Sequence, residues 1–208
     1  MADPTQQAVT LLSHQAHTHA TTDVNVVGTE QDVRTWISGT FYVYHANIET
    51  TANATGVEYA LQARWSTGAN VNEDWIDVIS FGTGTTAAVA AEITGAEAAA
   101  ETTIAVDADP TAAFTSTSVI YIEDKGTVAD GEWGEVDHST AGPDIVIITD
   151  GLTNAKDAAD TMWTQAERFI SNVDLSGFSY VRALVRHSAA TGSNIHFKSE
   201  LVAVTDFE

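Results

Sequence analysis

The sequence predicts an all-β protein: an antiparallel β-sandwich, jelly-roll or immunoglobulin-like, with a small inserted β-barrel-like module. Three observations carry that expectation. Strand-length runs with period-2 alternation recur along the chain, rich in aromatic and β-branched residues. Glycine and Asn/Thr/Ser clusters separate these runs at short intervals, while stretches with a helical period are scarce. The charge is also uneven, with 15 acids and two lysines in residues 83–163. That unevenness divides the chain into a sandwich built from 8–82 and 164–206, and an acidic insert over 83–163 with an Ala/Thr-rich lead-in.

The elements follow in order. "RTWISGTFYVYHANI" (34–48) alternates Phe41, Val43 and His45 against Tyr42, Tyr44 and Ala46. "GVEYALQARWS" sets Val57, Tyr59, Leu61, Ala63 and Trp65 against Glu58, Ala60, Gln62 and Arg64, which reads as one buried and one wet face. "DWIDVISF" follows after the turn-rich "STGANVNE". Near the C-terminus, "RFISNVDL", "YVRALVRHS" and "NIHFKSELVAVT" are separated by "SGFS" and "AATGS". In the last strand Ile195, Phe197, Ser199, Leu201 and Ala203 share a face, with a register slip expected near Ser199. Within the insert, "TIAVDA", "SVIYIED", "EWGEVDH" and "PDIVIITDGL" are short strands at barrel-like spacing, and "NAKDAADTMW" is the one helix candidate.

Composition narrows the functional classes. The chain has 208 residues, enough for a sizeable core, and its 44% apolar content excludes a wholly disordered chain. No run approaches the roughly 18 apolar residues of a membrane helix, and "MADPTQQAVTLLS" lacks the features of a secretory signal. There are no cysteines, which removes disulfides, thiolate metal sites and cysteine nucleophiles. Eight Lys and Arg face 29 Asp and Glu, for a net charge of -21. Such a surface repels phosphate backbones and anionic membranes, so no direct nucleic-acid or membrane partner is expected.

Several motifs invite chemistry and are better read as structure. His14, His17 and His19 crowd into "SHQAHTHATTD". On a strand His17 and His19 share a face about 7 Å apart, but no third ligand has a recognisable spacing, so the cluster reads as strand surface rather than a metal site. His45, His187 and His196 read as edge or interface residues. Gly82-x-Gly84-x-x-Ala87, ending in a strand with Asp107, outlines a dinucleotide fingerprint. Asp74 and Asp77 interrupt its first strand and no βα repeat follows, so a glycine turn between strands is expected instead. Asp107, Asp109, Asp124 and Asp130 lack EF-hand spacing and read as solvated loops. No catalytic, cofactor-binding or metal-binding residue is assigned. Trp36, Trp65, Trp75, Trp133 and Trp163, spread one per segment, suit core anchors or protein contacts.

The runs "AVTLLSHQAHTHATTDVNV", "TFYVYHANI", "GVEYALQARWS", "DWIDVISF" and "SGFSYVRALVRHSAATGSNIHFKSELVAV" together resemble small virion proteins of tailed phages and related viruses. These are capsid decoration, minor capsid and tail proteins. The resemblance implies a non-enzymatic virion structural protein, assembled in the host cytoplasm and without a cofactor. Its expected partners are the major capsid protein or other virion proteins, and copies of itself. A capsid decoration or cement role is expected, with the sandwich docking and the acidic insert facing solvent. Alternatives are a tail or neck component, or a glycan- or host-binding module using Trp133 and Tyr121.

Overall fold

The structure is a computed structural model that describes residues 6–17, 23–52, 55–65, 75–188 and 194–205. Among them are fifteen strands, one short 3-10 turn (Val128–Asp130) and no α-helix. In chain order the first six strands are β1 (Gln6–His17), β2 (Val24–Val27), β3 (Gln31–Asp32), β4 (Trp36–Asn47), β5 (Glu58–Arg64) and β6 (Ile76–Gly82). The next six are β7 (Ala90–Glu92), β8 (Thr103–Ala105), β9 (Val119–Glu123), β10 (Glu132–Thr140), β11 (Ile145–Ile148) and β12 (Thr161–Trp163). The chain closes with β13 (Ala166–Asp174), β14 (Tyr180–His187) and β15 (Ile195–Thr205).

Two sheets form the sandwich. The front sheet has the order β1-β15-β4-β13, and the back sheet the order β2-β14-β5-β6, with β3 also on β14. Every strand pair is antiparallel, and the pleat sends alternate side chains inward. Phe41, Val43, Phe197 and Leu201 from the front sheet therefore meet Tyr59, Leu61, Val181 and Val185 from the back sheet in one core. The face expected on β15 is seen in full, since Ile195, Phe197, Ser199, Leu201 and Ala203 are all buried. The slip expected at Ser199 falls on the neighbouring strand. β15 pairs with β4 in unbroken register past Ser199, whereas β1 is irregular on both sides of Leu12, the partner of Ser199. The irregularity turns both Leu11 and Leu12 into the interior.

β5 differs from expectation on its second face. Gln62 and Arg64 are nearly as buried as the inward residues because long side chains from β14 and Trp75 lie over them.

Residues between β6 and β13 form a third, six-stranded sheet, β7-β12-β9-β10-β11-β8. Its edge strands meet at a bridge between Ile93 and Val106, flanked by Thr94 N–H to Ala105 O (3.0 Å) and Asp107 N–H to Glu92 O (3.0 Å). The sheet thus curls on itself and leaves little open edge. Ile104, Phe114, Ile120, Ile122, Val136, Val146 and Met162 fill its own core. The Ala-rich lead-in takes part, with Ala88, Ala91 and Ile93 buried where small side chains allow close packing. The helix expected over "NAKDAADTMW" is absent: residues 152–160 form turns tied to Glu97 and Ile93, and Thr161–Trp163 is a strand. Helical propensity there loses to ladder hydrogen bonds with β7 and β9.

Candidate functional site: the cleft between sandwich and insert

The insert packs on the outer face of the front sheet. Alternation on β4, β13 and β15 sends Ala46, Ala166 and His196 outward, where they meet Tyr121, Trp133 and Trp163. Trp133 Nε1–H donates to the His45 carbonyl (2.9 Å), and Thr164 Oγ1 accepts from Val89 N–H (2.8 Å).

A triangle of polar groups lies at the centre of this junction. Tyr121 Oη is 2.8 Å from His196 Nδ1 and 3.2 Å from His14 Nε2, and the two ring nitrogens are 3.2 Å apart. His14 also hydrogen-bonds the backbone at Ala129. Burial holds both imidazoles neutral, lowering each from 6.5 to about 4, and it raises the Tyr121 phenol far above its ordinary range. Gly131 makes the approach feasible: a Cβ there would lie 2.8 Å from Tyr121 Cζ and 3.1 Å from His14 Cε1. On the inward side of the front sheet, His45 Nδ1 is 2.7 Å from Tyr59 Oη with both rings buried. Burial lowers His45 to about 3. His17 Nδ1 lies 3.1 Å from His187 Nδ1.

These placements correct several sequence expectations. His14 and His17 are half-buried and bonded rather than solvated, His45 and His187 are buried rather than at an edge, and His196 lies at the interface between the front sheet and the insert. The error has a physical source: an imidazole on a strand can satisfy its nitrogens with a partner from a facing layer, and one strand's pattern does not reveal that layer. His19 lies outside the described residues. Tyr121, expected on the surface, is fully buried. Among the described residues, no three His, Asp or Glu side chains gather as metal ligands would.

The dinucleotide outline is not realised. Gly82 ends β6, the following segment is extended, and Asp107 accepts a hydrogen bond from Glu92 N–H (2.8 Å). The other acids close local turns. Asp109 accepts from Thr111 N–H (2.9 Å), and Asp124 accepts from Gly126 and Thr127 N–H (2.8 and 2.7 Å). Asp130 offers its backbone carbonyl to Lys156 Nζ (2.6 Å).

Beside the triangle the cleft opens into a pocket of about 330 Å³. Its floor is one row across three strands: Lys198 on β15 and Arg168 on β13 both register with Tyr44 on β4. Lys198 Nζ sits 4.5 Å and Arg168 Cζ 5.7 Å from the centre of the Tyr44 ring. Trp133, Thr153 and Asn154 of the insert form the opposite wall. Glu132 also lines the pocket, but its carboxylate is engaged by the buried Lys156 ammonium (3.0 Å) and by Thr153 N–H (2.7 Å). Sequence reading missed this pocket because its parts lie on strands far apart in the chain. The available signal was the scarcity of cations, two of which sit opposite Tyr44.

No family model matches the chain, and no curated protein matches it in sequence. Among solved structures, the chain is similar to the SPBc2 prophage-derived protein YomS, at 11% identity and a TM-score of 0.28, over 97% of this chain and 96% of that one. It is similar to the K3 cleaved adhesin domain of Lys-gingipain from Porphyromonas gingivalis W83, at 10% identity and a TM-score of 0.33, over 86% and 63% of the two chains. It is also similar to a chain of infectious bursal disease virus, Gx strain, at 11% identity and a TM-score of 0.25, over 98% and 41% of the two chains. At scores this low these likenesses carry no functional argument. No helix among the described residues is long and apolar enough to cross a membrane.

Proposed function

We propose that the protein is a non-enzymatic structural component of a virion, decorating or cementing a capsid shell. The back sheet docks, and residues 83–163 form an acidic module that projects away. The reading draws on the resemblance to small virion proteins, and one structural observation carries it. The outer face of the back sheet, on the side away from the insert, is a lattice of arginine and aromatic residues. Arg64 stacks over Trp75 (4.9 Å) and Tyr180 (4.7 Å), and Arg182 over Trp75 (4.2 Å). Arg186 reaches Glu58 and Asp77 (both 2.8 Å), and Arg182 Nε–H donates to Gln62 (2.9 Å). Exposed Val27 lies beside Leu184 at the rim. Arg, Trp and Tyr are the residues that anchor protein interfaces.

Three of the chain's eight cations lie on this face, while the insert holds 15 acids. Glu30, Glu58 and Asp77 pair with Arg64 and Arg186 on this face, so it is near neutral beside an acidic end that keeps particles hydrated and apart. The test is co-sedimentation with particles of the virus that encodes the chain. Arg182→Glu is expected to lower occupancy by about tenfold or more, while Thr111→Lys on the insert leaves it unchanged. Equal binding by Arg182→Glu and the parent protein would reject the docking face.

A further inference from the structure

We infer that the cleft pocket is a binding site for a carboxylate-bearing sugar, with Arg168 and Lys198 receiving the carboxylate beside Tyr44. Four features support this. First, the two cations stand on strands either side of β4, roughly 10 Å apart by strand spacing, so both reach a ligand seated over Tyr44.

Second, among the described residues Arg168 is exposed, makes no salt bridge to a carboxylate and lies over the Tyr44 ring, in a chain with 29 acids and eight bases. Lys198 pairs with the half-buried Glu200 at 3.3 Å, a carboxylate outside the pocket lining. An arginine left unpaired amid such an excess of carboxylates retains its fork for a ligand anion.

Third, the one acid within the pocket wall does not oppose an anion. Glu132 is neutralised by Lys156, whose side chain is wholly buried, and by a backbone N–H.

Fourth, the rest of the lining matches a sugar better than a bare phosphate. Thr153 and Asn154 offer hydroxyl and amide groups for ring hydroxyls, and the edges of Trp133 and Tyr44 offer apolar surface for the C–H face of a ring. The volume is near the lower end for small-molecule sites and suits roughly one or two rings. Tyr121 has no part in it, since its ring is buried beneath Trp133.

The inference does not rest on capsid docking, because the pocket lies on the front sheet and the docking face on the back sheet. Either can fail alone. Tryptophan fluorescence of the full chain is titrated with glucuronic acid, N-acetylneuraminic acid, glucose and inorganic phosphate. At 0.15 M salt, distant repulsion from the acidic surface is screened beyond about 8 Å. Saturable binding of at least one acidic sugar is expected, about tenfold tighter than glucose or phosphate. Arg168→Gln is expected to weaken it by about tenfold without changing the unfolding midpoint, whereas Arg34→Gln on the back-sheet side has no effect. Glucose or phosphate binding as tightly as the acidic sugars, an unchanged affinity in Arg168→Gln, or no saturation by any acidic sugar overturns the assignment.

Discussion

Tyr121 of the insert and His196 of the sandwich share a 2.8 Å hydrogen bond in a place where neither ring is open to water. That contact, with His14 at the third corner, ties the acidic module to the front sheet through neutral polar groups rather than an ion pair. The junction is accordingly insensitive to salt and sensitive to acid.

Stability is expected to fall on acidification between pH 6.5 and about 4. His14 and His196 are held near 4 in the folded protein against 6.5 unfolded. The unfolded chain therefore takes up protons first, and the contribution of this pair is full above pH 6.5 and lost by about 4, while His45, held near 3, extends the decline below that. The loss is on the order of 2 kcal/mol for the pair after allowance for partial solvent contact. Urea unfolding across this range measures it. A His14→Gln, His196→Asn double variant is expected to flatten the slope, leaving the contribution of His45.

Gly131→Ala is expected to destabilise the protein by about 1–3 kcal/mol, as overpacking does. The backbone at Gly131 has φ -64 and is open to any residue, so the cost comes only from collision with Tyr121 and His14. A change below about 0.5 kcal/mol in the unfolding free energy would contradict the close approach.

Lys156→Met is expected to cost about 3–5 kcal/mol, because it strands the Glu132 carboxylate in a low-dielectric wall. Pairing it with Glu132→Gln recovers part of the loss, and denaturant melts of the single and double variants measure the coupling.

Tyr59→Phe is expected to lose about 1–3 kcal/mol, since the buried His45 Nδ1 forfeits its 2.7 Å partner. Thermal unfolding at pH 7 checks it against Tyr42→Phe on the outer face, where little change is expected.

Alternation made the sandwich legible, because each strand buries one side. Ile195 to Ala203 on β15, and Tyr59, Leu61 and Ala63 on β5, point where the pattern places them. What one strand cannot encode is the layer lying over it. Gln62 and Arg64 read as wet because nothing local announces Arg182 and Trp75 above them. Tyr121 read as exposed because its cover, His14 and His196, lies about a hundred residues before it in one case and 75 after it in the other. The 154–163 segment has a helical composition, but Thr161 to Trp163 are claimed by pairing with β7 and β9. The candidate pocket was the least legible part, since Lys198, Tyr44 and Arg168 meet only through the register of three strands.

The most direct test of a structural role is a cryo-electron microscopy reconstruction of particles carrying this protein. Density is expected on the shell with Arg182, Trp75 and Tyr180 against it, Arg64 buried beneath the two rings, and the six-stranded insert outermost. Particles that lack the protein altogether, or that hold it by the acidic insert with the arginine lattice facing solvent, would contradict it.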